Sequence, residues 1–436
     1  MHTYRELFRA PEFTPLFLTS TFQVAGQTVS GLALGTLIYA ATGSPLLSSL
    51  AMFGPSLAQL LGAATLLSAA DRLRPRAAMS VLLLTFALGT AVQAVPGLPV
   101  AASFSVLLVL GVFASLAGGV RYGLLNEVLR KDGYLLGRSV LNMSNGVMQI
   151  CGYALGGVLV AVLSARGTLL IGAVLYLTGA AVARLGLGER PPRATGRPSV
   201  AQTWRTNSLL WSSPSRRLVY LGLWVPNGLV VGCESLFVPF APREAGLLFT
   251  CGAAGMLAGD TVVGRFVPPR WRRRLAVPML ALLASPYLLF VLRPSLPLAA
   301  GLVMLASVGF GASLLLQERL MELTPEELSG HALGLHASGM LALQGVGAAL
   351  AGAVAELRSP ATAMASVAAL SLAVTSALSI GLRAGAGRQD LVPGNGRRRL
   401  IRPARRRRPS GPSEPPAAGP SPAPARSLRE QRRRRR

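Results

Sequence analysis

Twelve apolar runs, each long enough to cross a bilayer and separated mostly by short basic gaps, leave this chain few folds to choose from. A hydrocarbon core about 30 Å thick asks for about 20 apolar residues per helix. Runs of that kind occupy residues 13–40, 45–69, 77–95, 99–126, 139–164 and 167–187, then 217–240, 244–264, 275–292, 296–317, 331–355 and 360–382. Inside hydrocarbon a backbone polar group finds no water, so each run must pair its own N–H and C=O groups as a helix. The sequence therefore predicts an all-α membrane protein with 12 transmembrane helices.

The gaps orient those helices. Leu66 to Arg76 reads LLSAADRLRPR, a charged bend between two apolar runs, and is expected to lie at a membrane surface. An even number of spans puts both termini on one side. On that side fall Arg5 and Arg9, then Arg72, Arg74 and Arg76, then Arg130, Lys131 and Arg138; the gap after span 6 and the Arg265–Arg274 gap add many more. The other side carries only Arg166, Arg243, Arg293 and Arg358. Basic loops stay cytoplasmic, so both termini are expected inside and the protein in the plasma membrane. The 15–30-residue pattern of a cleavable signal is not evident at the start, and the first run is expected to remain as a span.

Composition excludes an ordinary soluble enzyme, because 51% of residues are hydrophobic and only 14% charged, against about one quarter charged in soluble domains. The net charge of +26, from 43 basic and 17 acidic residues, is spread over gaps and one tail. It is expected to meet anionic lipid; nucleic acid is not expected, since no aromatic residue follows position 384 to stack on bases. Cys151, Cys233 and Cys251 lie within apolar runs without metal or disulfide spacing, and His331 and His336 lack a carboxylate partner, so no metal and no cofactor is expected. A phosphate-binding glycine loop ending in Lys-Ser/Thr does not occur, which argues against ATP as the energy source.

The halves repeat. At an offset of 193 residues Gly62 falls on Gly255, Arg72 on Arg265, Gly137 on Gly330 and Gly152 on Gly345. The expected organisation is two pseudo-symmetric six-helix bundles, 1–187 and 217–383, joined by a cytoplasmic linker at 188–216 and followed by a disordered Arg/Pro-rich tail at 384–436. Within the linker, residues 200–211 suggest a surface helix that rests Trp204 and Trp211 at the membrane interface.

Three stretches carry a family resemblance. Thr42 to Leu50 reads TGSPLLSSL; the bend between spans 2 and 3 supplies Asp71, Arg72 and Arg76, with Leu67, Arg74 and Pro75 departing from the usual pattern; and span 5 carries Gly152, Gly156 and Gly157 with Tyr153 in a proline position. From residue 5 to 383 the chain resembles the major facilitator superfamily, and most of all its twelve-helix bacterial drug:proton antiporters. An arginine that such antiporters place early in span 4 is absent, since Val106 to Leu110 precede Gly111. The resemblance implies that Asp71 caps the start of span 11. It also implies that Arg72 and Arg76 pair with an acid at the inner end of span 4, for which Glu127 is the candidate, as a conformational latch between bundles. The bland alternative is that these arginines only anchor topology. Gly152, Gly156 and Gly157 form a helix-packing motif, small residues letting helices approach in lipid.

Charges inside spans cost about 2.5–3.5 kcal/mol each at a helix centre, so the few present carry weight. They are Arg121 in span 4, Glu234 in span 7 and Asp260 in span 8. Since the resemblance implies a cavity lined by spans 1, 4, 7 and 10, Glu234 is the candidate for exchanging a proton with a cationic substrate, with Arg121, Gln23 and Gln27 in the same pathway. Arg121 and Glu234 sit about 12 Å apart along the membrane normal, too far for a salt bridge. Asp260 is expected to reach the surface or pair with Arg265. Gln23, Gln27 and Thr28, and again Asn142, Asn145 and Gln149, share helical faces and either bind a solute or hold helices together.

The expected function is export of a small amphipathic or cationic compound by alternating access, with protons as the coupling ion and the protein acting as a monomer. An importer or symporter on the same fold and a non-transporting receptor or scaffold are the alternatives.

Overall fold

A computed structural model describes residues 4–66, 73–129, 131–191, 200–325 and 328–390. Met1–Gly387 forms one compact unit, and of the second unit, Arg388–Arg436, only the residues to Asp390 are described. A short helix α1 (Tyr4–Arg9) precedes α2 (Phe13–Thr42), α3 (Pro45–Leu66), α4 (Pro75–Gln93), α5 (Val100–Val128), α6 (Lys131–Leu163) and α7 (Ala165–Gly186). The linker helix α8 (Val200–Ser212) leads to α9 (Pro214–Ser235), α10 (Phe237–Phe240) and α11 (Ala245–Thr261), which runs on as a π-turn over Val262–Phe266. Next come α12 (Pro269–Ala284) with a 3₁₀ extension to Leu292, α13 (Leu296–Val308), α14 (Ala312–Glu322), α15 (Ser329–Leu357) and α16 (Pro360–Asp390). Eleven helical runs are long and apolar enough to cross a membrane among the described residues, and α3, with 22 residues, completes the expected dozen.

Local chemistry sets the ends. Proline opens α3, α4, α9, α12 and α16, a position where its missing N–H would have no intrahelical partner anyway. Gly43 ends α2 in the left-handed region, its N–H donating to the Tyr39 carbonyl. The break between α6 and α7 falls at Ser164, whose hydroxyl accepts from the Gly167 N–H at 3.3 Å, so Arg166 lies in the first turn of α7 rather than in the link.

Three expected boundaries shift. Helix α6 begins at Lys131, eight residues before the apolar run does, so Arg138 lies about two turns inside it. Similarly α12 takes in the basic stretch 270–274, because a helix continues past the hydrocarbon as long as its backbone is paired. The tail expected from residue 384 is helical to Asp390, and its remainder lies outside the described residues.

Two hydrophobic clusters keep to their own half: one around Leu83, Phe86, Leu124 and Tyr176, the other around Tyr220, Leu280 and Leu316. Of the glycine pairs at the 193-residue offset, Gly62 and Gly255 do equivalent work, whereas Gly137 meets Leu129 and Gly330 faces open space, and Gly152 meets Thr28 of its own half and Gly345 meets Leu57 of the other. Gly62 of α3 abuts Val112 and Ser115 of α5, and Gly255 of α11 abuts Met304 and Ser307 of α13. The halves meet along two antiparallel helix pairs, α6 with α11 and α3 with α15.

Candidate functional site

One end of the molecule, remote from the basic gaps, is shut. There Gly157 of α6 meets Gly246 of α11 so closely that a Cβ on Gly246 would lie 2.6 Å from the Gly157 Cα. One turn along, Tyr153 stacks on Phe249 with ring centroids 4.8 Å apart. The tyrosine that replaces the motif proline thus makes a contact between halves. Ser235 of α9 donates to the Ser49 hydroxyl of α3 at 3.1 Å, and Ser49 donates to the Ser235 carbonyl at 3.2 Å. Glu356 at the end of α15 accepts from the Ser44 hydroxyl and from the Leu46 N–H, tying α15 to the first turn of α3. These four hydrogen bonds between the halves are all at this end.

Toward the basic end the halves part around a cavity of about 630 Å³. Its floor is Leu34, Gln93 and Leu169, its wall includes Gln23, Gln27 and Gln59, and its mouth is Arg121, Tyr122, Arg138 and Gly330. Helices α2 to α7 supply most of the lining and α15 the rest. Span 7, expected in the lining, is absent from it, as is span 10. The reason is packing. Gly228 and Gly232 of α9 press against Leu343 and Gly347 of α15, so α15 stands between α9 and the open space.

The cavity therefore brings together Gln23, Gln27 and Arg121 and leaves Glu234 outside. Glu234 is 6% exposed, and its Oε1 has no hydrogen-bond partner. It is enclosed near the shut end beside Cys233, Leu236 and Phe237, with Tyr153 and Tyr287 within reach of its charge. Asp260 is exposed and forms no ion pair with Arg265 among the described residues. Buried His336 lies on α15, its carbonyl accepting from the Trp224 indole N–H at 3.0 Å.

The expected latch is only partly within view, since Asp71 and Arg72 lie outside the described residues. Arg76 reaches Glu189 at 3.5 Å, and Glu127 lies 3.6 Å from Arg190. Arg190 also clamps Glu12 with two bonds of 2.6 and 3.0 Å, joining the segment after α7 to the start of α2 and the end of α5. Burial pushes the Glu12 carboxyl up. The hydrogen bonds from Arg190 and the Gly188 N–H, with the Arg190 charge, outweigh it and hold the group below its ordinary 4.5. Gly152 and Gly156 face Thr28 and Val29 of α2, whereas Gly157 faces the other half.

Sequence reading passed over two features. Lys131, Asp132 and Gly133 read as loop and put Arg138 in a surface gap, although Tyr134, Leu135 and Leu136 make an apolar stretch before it. Linker helix α8 does not merely rest at the interface. Its Trp211 stacks on Trp224 of α9 with centroids 5.5 Å apart, and Arg216 binds the Leu209 and Leu210 carbonyls that end the helix. The Trp204 side chain is not among those described.

No curated protein sequence matches the chain significantly. Solved structures do, at identities that speak for the fold alone. A POT family transporter in complex with 5-aminolevulinic acid superposes with a TM-score of 0.69 at 10% identity, covering 85% of this chain and 96% of that one. A variant of the nucleoside transporter NupG gives 0.67 at 12% identity, with coverage of 86% and 99%. A bacterial homolog of the human lysosomal transporter Spinster, inward-facing and unoccupied, gives 0.60 at 17% identity, with coverage of 89% and 96%. The sequence profile described as Major Facilitator Superfamily matches residues 16–243, more than half of the chain. With membrane-length helices in two halves around a cavity, the chain belongs to the Major Facilitator Superfamily.

Proposed function

We propose that this protein is a secondary active transporter that exports a small amphipathic organic compound by alternating access, in exchange for protons. The observation that carries the transport reading is a largely apolar cavity between the halves with a few glutamines and two arginines in its lining, shut at one end by the Gly157–Gly246 and Ser49–Ser235 contacts. Rocking the two halves about that cavity would open the shut end and close the other. Basic residues at the open end favour placing it, with both termini, on the cytoplasmic side of the plasma membrane. Solved neighbours of this fold are named as carriers of peptides and nucleosides, which supports a small-molecule cargo here. Export and proton exchange draw on the resemblance to drug:proton antiporters, with Glu234 as the proton carrier once the shut end opens.

The cargo's amphipathic character follows the lining, where glutamines alternate with leucine, methionine and phenylalanine. A cationic cargo is disfavoured, because no described lining residue is acidic. Flux into inverted vesicles with an imposed pH gradient tests the reading. Uptake that requires an acidic lumen is the expected result. Uptake indifferent to the gradient removes proton exchange, flux in the opposite sense makes the protein an importer, and no flux of any compound in a broad panel removes transport.

A further inference from the structure

Arg121 and Arg138 are the only charged residues lining the cavity among those described. They come from different helices, α5 and α6, and converge on one side chain: the Arg121 guanidinium carbon is 5.0 Å from the Tyr122 ring centroid and that of Arg138 is 5.4 Å from it. Tyr122 is itself held, its hydroxyl donating to the Asn142 side-chain Oδ1 at 3.1 Å. Two like charges are thus collected around one ring at the mouth of the cavity.

Among the described residues neither cation has a carboxylate. Elsewhere arginines of this protein find one: Arg76 pairs with Glu189, Arg190 with Glu12, Arg272 with Glu318 and Arg273 with Glu322. No ion pair involves Arg121 or Arg138 among the described residues, and the Arg121 Nε is buried without an acceptor. Counting in from Glu127, the Arg121 Cα is about 9 Å inside the basic end of α5. There a guanidinium without a counterion is expensive, and such residues mark solute pathways. Tyrosine faces offset part of that cost and pre-orient the planar forks. What the pair lacks is an oxyanion, which two guanidinium forks can grip with parallel N–H···O bonds.

Resting on the transport reading above, we propose that Arg121 and Arg138 anchor a carboxylate or phosphate group of the transported compound, which is therefore an organic anion. Its uncharged body extends along the glutamine and leucine wall toward Gln93. Gln23, Gln27 and Gln59 supply hydrogen bonds there without adding charge, so the anionic group sets the class of cargo and the wall sets its shape.

The test is binding to the full chain in zwitterionic lipid nanodiscs, by calorimetry, with matched probes: naphthylacetate, naphthylmethyl phosphate, naphthylmethylamine and naphthylmethanol. The proposal expects the two acids to bind at least tenfold more tightly than the amine and the alcohol. Preference for the carboxylate or for the phosphate names the oxyanion. Arg121→Gln and Arg138→Gln should each weaken acid binding at least tenfold, while Arg243→Gln, at an exposed residue near the shut end, should not. Arg138→Glu should turn the preference toward the amine, an outcome that loss of folding cannot mimic. Equal binding of all four probes, tighter binding of the amine, no binding of either acid at millimolar concentration, or unchanged acid binding in both Gln variants would overturn the proposal. Acid binding without flux of any panel compound would overturn the transport reading instead and leave the anion site standing.

Discussion

Single residues at the two ends of the molecule hold different kinds of charge. Glu12 precedes α2 in the left-handed region, with φ of 67°, and its carboxylate is fixed by Arg190 and the Gly188 N–H. That backbone conformation costs an L-residue about 1–2 kcal/mol, so the ion pair must over-determine it. Because the Glu12 carboxyl is held below its ordinary 4.5, the pair's contribution is complete above that pH and is lost as pH falls through the lowered value. Glu12→Gln should lower stability at neutral pH by about 1–3 kcal/mol and flatten the acid limb of a melting-temperature profile; an unaltered limb would reject the assignment. Glu234 is the opposite case, buried with one oxygen unpartnered. Glu234→Gln should elute and melt like the parent yet lose the pH-gradient dependence of flux, and retained dependence would move the proton elsewhere. Both contrasts come from surroundings, since nothing in the chemistry of a glutamate says which neighbour a distant segment will bring.

Helix pairs are governed by what small residues permit. In lipid the burial of apolar surface gives no drive for helix association, so close backbone approach and packing must supply it. Gly157 with Gly246, and Gly228 with Gly347, are such approaches, one between halves and one within the second half. Gly246→Val should overpack the α6–α11 contact at a cost of about 1–3 kcal/mol, seen as a lower melting temperature, whereas Gly264→Ala, with open space around it, should not. The linker helix offers a second measure. Trp211→Ala removes its stack on Trp224 and should cost about 0.5–1.5 kcal/mol beyond the lost area, with faster proteolysis of α8; unchanged cleavage would mean that the helix is held by the Arg216 bonds alone. The span-5 motif was visible in sequence as three glycines. That two of them face α2 and one faces the opposite half required the rotation of α6 about its axis, which spacing leaves free.

At the scale of the molecule, alternation between two closures demands that neither end be held too firmly. The shut end has the buried Ser49–Ser235 bonds and the Glu356 contacts at the start of α3. Weakening it by Glu356→Gln should raise the fraction of molecules open at that end. A cysteine replacing Ser235, read with a membrane-impermeant thiol reagent in a background lacking the three native cysteines, should then react faster, while a Ser338→Cys in the cavity lining should react more slowly. Matched rates in the parent and Glu356→Gln proteins would show that this carboxylate does not set the balance. The same labelling from each face of the membrane checks the orientation, with Ser338→Cys expected to react from the cytoplasmic side.

The order of helices, their number and their even count were determined by the sequence alone. Hydropathy is a local property, and an apolar run of about 20 residues in lipid has one backbone solution. The two-half organisation was visible in part: the match of Gly62 with Gly255 marks the same close approach in each half, whereas Gly152 faces α2 of its own half and Gly345 faces α3 of the other. Which charges face the cavity was decided only by tertiary structure. Glu234 and Arg121 look alike as ionisable residues inside spans, yet α15 shields the first from the cavity while the second lines it beside an arginine from another helix. Helix rotation and partner choice are set by non-local packing, and that is where the sign of the cavity's charge comes from.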